Sequence, residues 1–282
     1  MHPINGGPEG PRGVRRKGEH VAVGSDGLGV PETHVDGVRA LERGFAVLRC
    51  FTEGSPRLSA AKLAAITGLD RATVRRYLST LQRLDYIGYA EDRYFLLPRV
   101  LELGWAYLGG LGLPSVANSF LARLAEQVGE SCAVTILDRA EVMYVAVANA
   151  PRDLAINLKV GKRLPAISTA MGRVLLGALD PSLRPSAVEA ALGLAQSKNG
   201  RRVGQDILDL LEVVHRQGWA LVDQETEQGI RSVAVAVRRQ GAVVGALSVS
   251  APASRMTVST LVDKVVPEVI LTAREIGFQL VQ

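Results

Sequence analysis

The stretch LSAAKLAAITGLDRATVRRYLSTLQRLDYI, residues 58–87, decides the fold of the N-terminal part of the chain. Ser59 stands where an N-cap belongs for a short helix over 60–67, with Leu63 and Ile66 facing inward. Gly68 suits the left-handed position that stops a helix, and Asp70 is an N-cap for the next one. Only Gly68, Leu69 and Asp70 separate the two. Two helices joined by so short a turn, the second of them cationic, read as a helix-turn-helix.

The second helix, Arg71 to about Leu84, resolves by angle. At about 100° per residue, Val74, Leu78 and Leu81 gather on one side with Tyr77 beside them. The opposite side carries Ala72, Arg75, Arg76, Ser79 and Arg83, with no acid between Asp70 and Asp85. A purely structural surface helix mixes Glu with Lys for solubility; this one does not. Upstream, Val38, Leu41, Phe45 and Leu48 fall on one face of an amphipathic helix ending near Phe51. Downstream, Tyr86 to Leu97 reads as a hairpin turning at Glu91, Asp92 and Arg93. Three helices followed by a hairpin predict a winged helix-turn-helix over residues 38–97.

Charge is concentrated in the same place. The net charge of the 282 residues is +5, and residues 57–83 alone hold six basic side chains against Asp70. From Val100 to the end, 18 basic residues face 17 acidic ones. A short cationic segment on a near-neutral body is the footprint of a nucleic-acid-binding module, although a solvated charged face has the same composition. A hydrophobic fraction of 47% excludes a wholly disordered chain, a collagen or a coiled-coil rod. No apolar run approaches the ~18 residues that span a bilayer, and the N-terminus has no signal-like apolar core. Cys50 and Cys132, far apart in apolar segments, read as buried hydrophobes of a reducing, cytoplasmic compartment.

Residues 1–37, with nine glycines, four prolines and no aromatic residue, read as a flexible tail, an inert extension first and nonspecific phosphate contacts from Arg12, Arg15, Arg16 and Lys17 second. Pro98 opens a linker helix over 98–112 with Leu101, Trp105 and Leu108 on one stripe, closed by Gly109, Gly110 and Gly112. That stripe packs either on its own chain or on its copy in a dimer, and we expect the dimer. Residues 113–282 alternate helices and strands, an α+β unit with a mostly antiparallel sheet. Its elements are a helix through Phe120, Leu121, Leu124 and Val128, a hairpin around Asp138 to Glu141, helices over 170–179 and 205–217, a hairpin turning at Gln240-Gly241, and a closing helix over 259–280.

His2, His20 and His34 lie in the tail and His215 in a helix, so there is no metal-ligand pair. No nucleophile elbow or phosphate loop is present, and Asp223 and Glu225 read as ordinary charged loop residues. No cofactor, metal or catalytic residue is expected. In the last hairpin Ser232, Ala234 and Ala236 share one face against Val233, Val235 and Val237. Likewise Ala246, Ser248 and Ser250 oppose Val243, Leu247 and Val249. The small faces either seat a helix closely or floor a cavity lined by hydroxyls.

GVRALERGFAVLRCF, the stretch quoted first, LPAISTAMGRVLLGAL, RQGWALVDQETEQGIRSVAVAV and GALSVSAPASRMT, in that order, resemble the IclR family of bacterial transcription regulators over about residues 36–280. STAMGRVLL is also similar to the branch controlling aromatic-acid and β-ketoadipate catabolism. The resemblance implies a winged helix-turn-helix, a linker helix and a GAF-like effector domain in a homodimer or tetramer. It places the recognition helix on Arg71 to Arg83, so the DNA-facing candidates are Arg71, Ala72, Thr73, Arg75, Arg76, Ser79 and Arg83, with Arg93 on the wing. It places the effector pocket on Thr169, Ala170, Met171, Ser232, Ser248 and Ser250, with Ile156 and Leu164 as apolar contacts. Where members that bind small oxo-acids can carry an acid, this chain has Val222, with Asp223 next, which favours a larger or more apolar ligand. The expectation is an effector-responsive regulator that binds double-stranded operator DNA and a small carboxylate such as an aromatic acid. The rivals are a ligand-independent architectural DNA binder and an enzyme using the α+β unit.

Overall fold

The computed structural model describes residues 37–152, 155–199 and 206–281. The tail expected over 1–37 lies, apart from Gly37, outside the described residues, and so does Gln205.

The N-terminal helices form where their caps stand: α1 (Arg39–Arg49), α2 (Ala60–Thr67) and α3 (Arg71–Arg83). The Ser59 hydroxyl accepts from the Lys62 amide at 3.3 Å, and Gly68 stops α2 at φ 69°. Asp70 accepts from the Thr73 amide at 2.8 Å, and the Thr73 side chain together with that amide holds its carboxyl below the usual carboxylate range. Val74, Leu78 and Leu81 of α3 are buried with Val47, Leu63 and Ile87. The wing is a three-stranded sheet rather than a bare hairpin. A two-residue strand, β1 (Arg57–Leu58), pairs with β3 (Arg93–Leu96), which pairs with β2 (Ile87–Ala90). Two residues carry no periodicity, so β1 exists only through its long-range partner.

Two inward faces are corrected. The stripe of α1 is largely exposed, with Val38 at 68%, Leu41 at 61% and Phe45 at 48%; the core takes Val47, Cys50 and Phe51 instead. Ile66 is likewise half exposed, and Ala64 is buried beside Leu63. Amphipathicity marks a face that wants cover, and the described residues leave most of that face of α1 open.

Two abutting helices follow, α4 (Val100–Leu111) and α5 (Leu113–Val128), separated by Gly112 at φ 64°. Gly109 and Gly110 lie within α4 rather than closing it. Next come β4 (Ser131–Asp138), β5 (Glu141–Ala148), β6 (Arg163–Pro165), a 3-10 turn (Ala166–Ser168) and α6 (Ala170–Gly177). α7 (Arg184–Asn199), α8 (Asp206–Gln217), β7 (Trp219–Asp223), β8 (Ile230–Arg239) and β9 (Ala242–Pro252) lead to the closing segment. That segment is α9 (Val258–Thr260), a π turn (Leu261–Val265) and α10 (Val266–Gln279). The α7 helix goes beyond the sequence expectation: its described buried apolar residues are Ala187, Val188, Ala191 and Ala195, and alanines signal a face weakly.

The six strands run β6-β5-β4-β9-β8-β7, every neighbouring pair antiparallel. α5 and α10 cover one face, against Val134, Val233, Val235, Leu247 and Val249. α6, α7 and α8 cover the other, where Ala133, Ala220, Ala234 and Ala246 lie. Val243 joins this second face, contrary to strict alternation, because the β8–β9 register shifts between Val237 and Arg238. No described helix is long and apolar enough to cross a membrane.

The small face does seat a helix: every residue of α6 is buried. Its first turn is pinned from above, since a Cβ on Gly172 would stand 1.9 Å from the Ala166 carbonyl oxygen. Gly172→Ala therefore forces the 3-10 turn off α6, and urea denaturation should show a loss of about 1–3 kcal/mol or more. A variant as stable as the wild type would mean the turn moves freely.

Candidate DNA interface and effector site

On α3, Arg71, Ala72, Arg75, Arg76, Ser79 and Arg83 are exposed, as is Arg93 on the wing. Thr73 is half-buried and its amide is spent on Asp70. Among the described residues, none of Arg71, Arg75, Arg76, Arg83 and Arg93 forms an ion pair, whereas the nearby acids are committed. Glu91 lies 3.9 Å from Arg57, and Asp92 accepts from the Tyr89 hydroxyl at 2.8 Å. Arg57 also lies over the Phe95 ring, 4.8 Å from its centre. Arg75 lies toward the wing, close enough to influence Tyr89. Arg76 instead lines a groove of about 560 Å³ between α1 and α3, with Leu41, Phe45, Tyr77 and Leu103. Guanidiniums free of partners, on a helix and an adjoining wing, match the bidentate geometry of phosphates and guanine edges.

The effector candidates come together on the α6 side of the sheet. Thr169 caps α6, its hydroxyl accepting from the Gly172 amide at 3.1 Å and donating to the Ala166 carbonyl at 3.2 Å. The amides of Ala170 and Met171, the first two of α6, have no intrahelical partner by their position and are buried. Beneath, Ser131, Ser250, Ser232 and Val222 stand in register across β4, β9, β8 and β7. Ser248 lies one residue pair along the same face, between Ala133 and Ala234. Ile156 and Leu164 pack, half-buried, against the same core as Met171.

The hydroxyls differ in availability. Ser248 donates to the Ala133 carbonyl at 3.4 Å, and Ser131 accepts from the Ala150 amide at 3.0 Å. Ser232 and Ser250, both buried, make no hydrogen bond with a described residue. Val222 is buried beside Ser232, while Asp223 pairs with Arg231 at 2.7 Å, which lowers its pKa.

Sequence reasoning missed what fastens this site. Buried Arg173 of α6 makes a bidentate pair with Glu225 at 2.9 and 2.5 Å, and its Nε donates to the Ile167 carbonyl. Thr226 donates to the Ser168 carbonyl. The loop after β7 is thus tied to the turn before α6. Glu225 and Arg173 lie 52 residues apart, and no local pattern joins them. Among the described residues no cluster of His, Cys, Asp and Glu could hold a metal ion.

A winged helix-turn-helix carrying free arginines, joined to an α+β unit with a polar-floored helix seat, defines a DNA-binding regulator. The profile of the IclR helix-turn-helix domain matches residues 40–91, and that of the bacterial transcriptional regulator IclR C-terminal domain matches 105–278. The chain belongs to the IclR family of bacterial transcription regulators, which are not enzymes. It is 38% identical to the Pca regulon regulatory protein of Pseudomonas putida over 87% of this chain and 85% of that one. A solved transcriptional regulator from Rhodococcus sp. RHA1 is 36% identical, with a TM-score of 0.74 over 86% of this chain and 98% of its own. The inducer-binding domain of an Acinetobacter PobR double mutant, in complex with 3-hydroxybenzoic acid, is 30% identical, with a TM-score of 0.51 over 58% of this chain and 97% of its own.

Replacing Arg75 and Arg76 together by Ala tests the DNA face. Against operator DNA selected from random-sequence pools, an arginine that reads a base edge should, on removal, weaken binding by about 1–3 kcal/mol and relax discrimination at one base pair. Removing one that holds a phosphate should flatten the salt dependence instead. Unchanged affinity and salt slope in a folded double variant would remove α3 from the groove.

Proposed function

We propose that this regulator controls catabolism of an aromatic acid by binding that acid between the start of α6 and the small face of β8 and β9. The observation that carries the reading is a pair of hydroxyls without a partner among the described residues, Ser232 and Ser250, on the same side of the sheet as the amides of Ala170 and Met171, which have no intrahelical partner. Buried donors without partners favour an acceptor-rich group, and a helix N-terminus favours an anionic one. The relatives' names, a Pca regulon regulator and an inducer domain holding 3-hydroxybenzoic acid, point the same way. Val222 supplies an apolar wall where an acid would repel the ligand's ring and charge.

In this reading residues 38–97 bind DNA, 98–112 link, and 113–282 sense the effector. Thr169 acts as the cap that shapes the site, and Ser248 braces β9 against β4 rather than serving as the first ligand donor. The signal has two routes to the DNA. Leu108 and Leu111 of α4 pack on the opposite face of the sensing sheet, and Lys159, from the loop after Leu158, forms an ion pair with Glu53 of the helix-turn-helix. A ligand shifts the arrangement only by its differential affinity for the two states.

A second copy completes the assembly. No residue of α4 is buried; Leu101 is 61% exposed and Trp105 67%. A stripe of this size beside the groove of α1 and α3 is an interface in search of a partner.

Calorimetric titration of 4-hydroxybenzoate into the full chain tests the site. Wild type should bind, and Ser232→Ala and Ser250→Ala should each weaken binding several-fold while leaving operator affinity without ligand intact. Undiminished binding in both would move the pocket elsewhere. For the assembly, Trp105→Ala should lower the sedimenting mass at micromolar protein and weaken operator binding, because the tethered second half-site no longer contributes. A fully oligomeric variant would place the interface away from α4.

A further inference from the structure

One more polar group on the α6 side has no hydrogen-bond partner among the described residues. Tyr144 of β5 is only 3% exposed and belongs to the core that holds Met171, Leu158 and Ala133. Its hydroxyl makes no hydrogen bond with a described residue. The neighbouring hydroxyl in its row is already engaged: Thr135, directly opposite, donates to the Ala246 carbonyl at 3.4 Å. Beyond Thr135 the row continues through Ala246 and Ala236, so no bulky side chain of the sheet meets the ring there.

The strand order sets the geometry. Tyr144 stands on β5, while Ser250 and Ser232 stand on β9 and β8, with Ala133 and Ala246 between them on the floor. Unpaired polar groups therefore occur at both ends of a strip of small residues roofed by α6. A ligand with a single carboxylate satisfies one end alone.

We propose that Tyr144 is a specificity-determining residue of the effector site, its phenol hydrogen-bonding a ring hydroxyl of the aromatic acid whose carboxylate lies at the start of α6. The inference rests on the effector site described under the proposed function and narrows its ligand class to hydroxylated aromatic acids. Burial pushes the Tyr144 hydroxyl up to about 12, so it remains a protonated donor throughout the neutral range. A site that hydrogen-bonds a ligand hydroxyl discriminates against the analogue lacking it, because the buried partner is then left unpaired.

The test is calorimetry on the full chain with benzoate, 3-hydroxybenzoate and 4-hydroxybenzoate, in wild type and Tyr144→Phe. Wild type should prefer one hydroxybenzoate over benzoate by about tenfold or more. Tyr144→Phe should bring that ligand to within about threefold of benzoate, with benzoate affinity unchanged. Its unliganded melting temperature should be unchanged or higher, since the removed hydroxyl has no partner among the described residues. A retained preference, or an equal loss for all three ligands with a lower melting temperature, overturns the proposal. If wild type binds none of the three, the aromatic-acid site falls and this proposal with it. If Ser232→Ala weakens binding while Tyr144→Phe leaves the preference intact, the site stands and the role of Tyr144 alone is refuted.

Discussion

Helix α6 lies flat on its sheet only because the strands beneath it present alanine and serine. A bulky residue at Ala234, Ala246 or Ser248 would lift the helix, and with it the turn that Gly172 holds against Ala166. That close seat brings polar backbone and small hydroxyls together in an apolar interior, where each unpaired donor is expensive. Thr169, Arg173 and Thr226 satisfy the surroundings of the helix start, and the first two amides are left. The C-terminal unit is thus a packed core in which several donors on the α6 side have no partner among the described residues.

The opposite face of the same sheet has no such ambiguity. Valines and leucines from β4, β8 and β9 meet α5 and α10 in continuous apolar packing. One sheet therefore has a bulky side and a small-residue side. The linker helix α4 attaches to the bulky side through Leu108 and Leu111.

Much of this was legible in the residues. Caps announced α2 and α3 because Ser59, Gly68 and Asp70 act locally, within three residues of the groups they satisfy. Alternation of small and large side chains announced the two faces of β8 and β9. What escaped was set by distance in the chain. The β1–β3 pairing, the bulge that turns Val243 around, and the Arg173–Glu225 tie each depend on a partner that no local pattern names. The misjudged stripe of α1 is of another kind. Its periodicity was real, but periodicity reports a need for cover and not who supplies it. Tyr144 escaped because an aromatic residue in an apolar strand reads as core, and only the missing hydrogen bond sets it apart.

Hydrogen exchange on the full chain, with and without saturating 4-hydroxybenzoate, addresses the central claim most directly. The account predicts slower exchange at the start of α6 and along β8 and β9, with smaller changes reaching α4. Protection confined to the groove between α1 and α3, or none around Ala170 and Met171 despite saturated binding, would contradict it.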